Sequence, residues 1–89
     1  MPTVVVPPPY RGPTQGQERI EVDGSTVREC LSVVGARFPG FSEQIFDATG
    51  AVHRFVDLFV NGDQIGRSDL DHLVGSDDRV EILAAIAGG

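Results

Sequence analysis

The stretch VEILAAIAGG, residues 80–89, joins an alternating apolar pattern to two glycines. A C-terminal carboxylate has a pKa of about 3.3–3.7, so at neutral pH it is ionised and a poor electrophile. Converted by ATP to an acyl-adenylate, it becomes open to attack by sulfide, a thiolate or an amine. That chemistry needs a terminus able to reach deep into another protein's active site. Gly88 and Gly89 lack a Cβ and can thread a narrow channel. Ile86, Ala87, Gly88 and Gly89, fully extended, reach roughly 13–14 Å. Gly89 is therefore the candidate for covalent activation, and residues 86–89 are the candidate tail entering a partner. With Gly89 last, no processing protease is expected.

The other reactive side chains carry less. Cys30 is the one cysteine and lies on the apolar stripe of an expected helix. It reads as a buried structural thiol, because a nucleophile needs exposure and a stabilised thiolate. A single cysteine makes no internal disulfide, which fits a reducing compartment and points to the cytoplasm. His53 and His72 stand apart with no zinc spacing, so no metal is expected. No nucleophile–base–acid constellation can be argued from position. The expectation is a non-enzyme with no bound cofactor, the ATP belonging to an activating partner.

At 89 residues the chain is one domain, and its hydrophobic and charged fractions of 40% and 22% are those of ordinary globular material. No run of about 18 apolar residues exists to span a membrane. The opening MPTVVVPPPY lacks the basic region and apolar length of a signal peptide. The net charge is −6, and the seven cations are all arginine and scattered. Phosphate backbones and anionic membranes call for a concentrated basic surface, so neither nucleic acid nor membrane is an expected partner. Residues 51–89 hold seven acids and three arginines, which reads either as complementary to a basic partner surface or as charge that keeps a small domain soluble.

The elements that must position the tail follow from pattern. TVVV (3–6) and QERIEV (17–22) read as strands, joined by the exposed loop PPPYRGPTQG. Thr26 and Glu29 have capping-box spacing, and Val27, Cys30, Leu31, Val34 and Phe38 recur at helical period. Pro39 and Gly40 end that helix. FSEQIFD allows a short second turn anchored by Phe41, Ile45 and Phe46. FVDLFVNGDQIG is a hairpin about Asn61-Gly62. SDLDHLV (68–74) reads as a helical turn capped by Ser68 or Asp69, and DDRVEILAAIAGG supplies the last strand. A hairpin, a crossover helix and a C-terminal strand that pairs in the middle predict an α+β β-grasp: a mixed sheet of four to five strands with one main helix on one face. Residues 1–85 form the domain and 86–89 the tail.

Asp57 marks its side of the third strand as outward, which takes Phe55 and Phe59 with it. Glu81 does the same for Leu83 and Ala85. Phe55, Phe59, Leu83 and Ala85 thus form the expected partner-binding face, since contiguous exposed apolar groups mark interaction sites.

VHRFVDLFVNG (52–62) and DDRVEILAAIAGG (77–89) resemble the ubiquitin-like sulfur-carrier proteins, and the element order matches over essentially the whole chain. The resemblance is greatest to the cysteine-synthesis carrier of actinobacteria. It implies that a ubiquitin-activating-type enzyme adenylates Gly89, that a sulfurtransferase or sulfide source converts it to a thiocarboxylate, and that an acceptor biosynthetic enzyme of cysteine, thiosugar, molybdopterin or thiazole type takes the sulfur. It also implies docking through the face around Leu83. A protein modifier joined through Gly89 and a binding module with an inert tail remain as alternatives.

Overall fold

The computed structural model describes residues 1–84. Its strands are β1 (Thr3–Val5), β2 (Arg19–Glu21), β3 (Val56–Val60), β4 (Asp63–Ile65) and β5 (Arg79–Ala84), and its helices are α1 (Val27–Arg37) and α2 (Pro39–Ile45). The sheet order is β2-β1-β5-β3-β4. β5 runs parallel to β1 and antiparallel to β3, and both outer pairs are antiparallel. This is a mixed, five-stranded β-grasp, with the last strand central as expected.

Period-2 alternation sets the inner face. Ile20 pairs with Val4, Val4 with Val80 and Val80 with Val60, giving one buried row across four strands. Leu58 and Ile82 form the next row. Val27, Cys30, Leu31 and Val34 of α1 bury against this face, joined by Phe41 and Ile45 of α2, while Phe38 and Phe46 are partly buried against it. Each fully buried aliphatic or aromatic side chain contributes on the order of 1.5–3 kcal/mol, which fixes the register: a one-residue slip would turn the whole set to solvent.

Pro39 does not end the helical region. α1 stops at Arg37, and Pro39 stands in the first turn of α2, where its missing N–H costs no hydrogen bond. The two helices approach closely at Gly35, where a Cβ would press on Ser42. The proline loop is also less exposed than its composition suggests. Thr14 is fully buried, its Oγ1 3.0 Å from the Gln17 carbonyl, and Tyr10 packs against the core.

The expected helical turn at 68–74 is a non-helical loop with a different task. Its carbonyls serve α1: Val27 N–H donates to His72 O at 3.0 Å, and Arg28 N–H to Leu70 O at 2.9 Å. Glu29 N–H donates to Thr26 Oγ1 at 3.1 Å, and Cys30 N–H closes the first helical bond to Thr26 O. Three free donors of the helix start, the amides of Val27, Arg28 and Glu29, are thereby satisfied. The bonds the segment makes on its own are isolated turns, Asp69 N–H to Gly66 O and His72 N–H to Asp69 O, so no helix forms there for Ser68 or Asp69 to cap. The capping box is also displaced by one residue. Glu29 accepts from Ser25 N–H at 2.8 Å and from the Ser25 hydroxyl at 2.7 Å, rather than from the Thr26 amide.

The β3–β4 turn is a tight two-residue connection with Asn61 at φ 52° and Gly62 at φ 87°. Positive φ at both positions is the type I′ signature, which matches the twist of the flanking strands. Asn61 also tethers the start of β5: its Nδ2 donates to Asp78 Oδ1 at 2.8 Å, and its Oδ1 accepts from Arg79 N–H at 2.9 Å. Asn61→Ala should therefore cost about 1–2 kcal/mol in chemical denaturation, from left-handed strain and lost hydrogen bonds. Asn61→Gly should cost less, because it relieves the strain and loses only the bonds.

Among the described residues, three carboxyls sit below their ordinary values. Glu29 is lowered by the Ser25 hydroxyl and amide, Asp47 by Thr49, and Asp78 by the Gly75 amide and then Asn61. A depressed folded pKa contributes stability that is full above the unfolded value, about 3.9–4.3, and is lost as pH falls through the folded value. The acid limb of a stability–pH profile should thus fall below about pH 4, and Asp78→Asn should flatten it. An unchanged slope in that variant would show that the Gly75–Asp78–Asn61 contacts do not stabilise the fold.

Candidate functional site

The sheet's second face is built by the residues that alternation turns away from the helices. Arg19, Val5, Glu81, Phe59 and Gln64 form one row across all five strands. Leu83 and Asp57 are paired in the next. Val5 and Phe59 are half-buried and Leu83 is 46% exposed. Phe59 and Leu83 are diagonal neighbours across the β3–β5 pair, a separation of about 7–8 Å at which large side chains still touch. The expected outward placement of Phe59 and Leu83 is what the structure has.

Phe55 differs in position. It lies in the turn closed by Val56 N–H donating to His53 O at 3.0 Å, one residue before β3, and is 43% exposed. Together with Tyr10, Glu43, Gln44, His53 and Val56 it lines a shallow hollow of about 300 Å³. The alternation rule fails there because the turn breaks the strand geometry on which it rests. Ala85 and the tail residues Ile86, Ala87, Gly88 and Gly89 lie outside the described residues.

The geometry at the end of β5 follows from the proline run. β1 pairs with β5 only from Arg79 to Glu81, because Pro7 begins a segment that cannot extend the ladder. Ile82, Leu83 and Ala84 are paired to β3 alone, with Ala84 opposite Val56. β5 is therefore anchored on both sides at its start and on one side at its end. Leu83 stands at that end, directly ahead of the glycine tail in sequence.

Polar groups frame the apolar patch. Arg67 Nη1 lies 3.6 Å from Asp57 Oδ1 and also donates to the Arg54 carbonyl. Arg79 Nε donates to Glu81 Oε1 at 2.8 Å. The Arg54 guanidinium lies 5.0 Å from the centre of the Phe55 ring, a cation–π contact. Sequence reasoning missed Arg54 and Arg67 as parts of this corner. No pattern announces a pairing between a loop after β4 and an outward residue of β3.

Cys30 is fully buried, and burial, then the nearby Glu29 charge, pushes its thiol up, opposite to what a nucleophile needs. Among the described residues no group of three or more His, Cys, Asp or Glu could hold a metal ion, and no helix is long and apolar enough to cross a membrane. The outward face around Phe59 and Leu83 has the exposed apolar character of a docking surface.

Comparison with known proteins gives consistent relatives. The ThiS family profile matches residues 7–89. Sulfur carrier protein CysO of Mycobacterium bovis is 36% identical over 90 residues, covering 98% of this chain and 97% of its own. The crystal structure of Mycobacterium tuberculosis CysO, described as an antigen, superposes with a TM-score of 0.86 at 31% identity, over 97% of this chain and 100% of that one. CysO in the Amycolatopsis orientalis BexX/CysO complex superposes with a TM-score of 0.88 at 32% identity over 100% of both chains.

Proposed function

The chain belongs to the ThiS family, and on that footing we propose that it carries sulfur at Gly89. The carboxylate of Gly89 attacks the α-phosphorus of ATP on an adenylating enzyme of the ubiquitin-activating type, and pyrophosphate leaves. Sulfide then attacks the acyl carbon, AMP departs with one carboxylate oxygen, and a thiocarboxylate remains. Where the sulfur comes from a sulfurtransferase persulfide, its attack expels AMP and forms an acyl disulfide. A second thiol then cleaves the S–S bond, leaving a disulfide with the sulfurtransferase cysteine and the same thiocarboxylate. That group gives up its sulfur within an acceptor biosynthetic enzyme, for which similarity to CysO favours the cysteine type. The chain is a protein co-substrate in this scheme. It holds no cofactor of its own, and ATP binds the partner. Its one thiol suits the reducing cytoplasm.

The observation that carries the reading is the outward Leu83–Phe59 patch at the far end of central strand β5, immediately before residues 85–89. A partner that covers this patch receives the tail in the same encounter. Residues 1–85 serve as the docking body and 86–89 as the reactive extension, with Phe55 and Ala85 continuing the contact. The complex of a relative, CysO with BexX, supports a docking role.

The test is ATP–pyrophosphate exchange with the adenylating enzyme of the same organism. Exchange that depends on this chain supports the proposal. Absence of exchange, with an enzyme active on another carrier, counts against it.

A further inference from the structure

The composition of residues 51–89 suggests a basic partner surface, but the fold redistributes that charge. Of the six acids of this half that precede β5, five sit on the β4 edge or in turns and loops, Asp63, Asp69, Asp71, Asp77 and Asp78, while Asp57 faces outward from β3. On or beside the outward sheet face stand Arg19, Arg54, Arg67 and Arg79 against Glu21, Asp57 and Glu81. That is four arginines to three carboxylates in a chain of net charge −6, so the negative excess lies off this face.

The arginines there are not equivalent. Arg67 and Arg79 are paired with Asp57 and Glu81. Among the described residues no carboxylate lies within ion-pair distance of the exposed Arg54. Its backbone is fixed by Arg67, and its guanidinium is ordered over Phe55. It stands two residues before Val56, the partner of Ala84, at the corner where β5 ends. A pre-ordered guanidinium without a carboxylate is a ready site for one supplied in trans, since its planar fork matches a carboxylate and little side-chain entropy remains to be lost.

We propose that Arg54 is a specificity residue of the docking face, and that the adenylating enzyme meets this corner with an acidic side chain rather than a basic surface. This rests on the sulfur-carrier reading above.

The test measures KM and kcat for this chain in ATP–pyrophosphate exchange by that enzyme. Arg54→Glu should raise KM roughly tenfold with kcat unchanged, because a rim charge acts on encounter and docking. Arg54→Ala, which keeps the carbonyl that Arg67 holds, should raise KM by a smaller factor. Arg54→Lys should recover most of the loss, and added salt should narrow the gap between wild type and Arg54→Glu. Asp77→Arg, at the opposite end of β5, should leave KM unchanged. An unaltered or lower KM for Arg54→Glu, or a raised KM for Asp77→Arg, would overturn the inference in favour of a basic partner surface. No exchange by the wild-type chain would count against the sulfur-carrier reading itself and would take this inference with it.

Discussion

Deletion of Gly89 is expected to reduce adenylation below detection while leaving the melting transition where it is. Removing one residue draws the carboxylate back by about 3.3–3.6 Å. A misplacement of 1 Å at a reacting centre already costs on the order of 10²-fold, so a whole residue should abolish turnover. Gly89→Ala keeps the length and adds a Cβ beside the reacting carbon, where a channel shaped for glycine leaves no room. It should lose activation nearly as completely. Neither variant touches the buried side chains of the described residues, so the melting transition should stay where it is. Pyrophosphate exchange and a thermal melt on the same samples check both halves. Normal exchange by the deletion variant would mean that the C-terminal carboxylate is not the reacting group.

Leu83→Asp is expected to weaken binding to the adenylating enzyme about 30-fold, which corresponds to the ≥2 kcal/mol of a central apolar contact. Its stability cost should be small, because Leu83 is 46% exposed and packs outside the core. Leu83 pairs directly with Asp57, and like charges directly opposite cost about 0.2–1 kcal/mol. Arg67 beside Asp57 offsets part of that. Leu83→Ser removes the apolar contact without the repulsion, so a comparable loss of affinity in both variants assigns the effect to the docking patch. Titration calorimetry and a melt separate the two. A collapsed melting transition in Leu83→Ser would show that Leu83 holds the fold together rather than the partner.

Much of this architecture is legible in residue order because it depends on local rules. Asn61-Gly62 dictates its turn by backbone sterics alone, and alternation in VDLFV and RVEIL assigns Phe59 and Leu83 to one face and Leu58 and Ile82 to the other. The stripe from Val27 to Val34 needs only the helical period. What stays hidden is what distant segments do for one another. The 68–74 segment has turn and cap residues in a helix-like order, yet its Leu70 and His72 carbonyls are committed to the first donors of α1, some forty residues earlier in the chain. Thr14 looks like a loop residue, and only the packed structure shows it buried and bonded within its own turn. Phe55 fits the strand period but falls one residue before the ladder begins. Charge is the clearest case. Composition counts the acids of residues 51–89 together, whereas the fold sends five of the seven to the β4 edge and to turns and loops, and sets Arg67 against Asp57 and Arg54 over Phe55 beside the apolar patch.

The central claim is that Gly89 carries sulfur, and intact mass tests it most directly. The wild-type chain is incubated with ATP, sulfide and the adenylating enzyme of the same organism, then weighed whole and after proteolysis. Cys30 is fully buried, so the internal thiol needs no substitution. The account predicts a gain equal to the exchange of one oxygen for sulfur, confined to the C-terminal peptide. An unchanged mass, with the enzyme active on another carrier, or sulfur located on Cys30 instead, would contradict it.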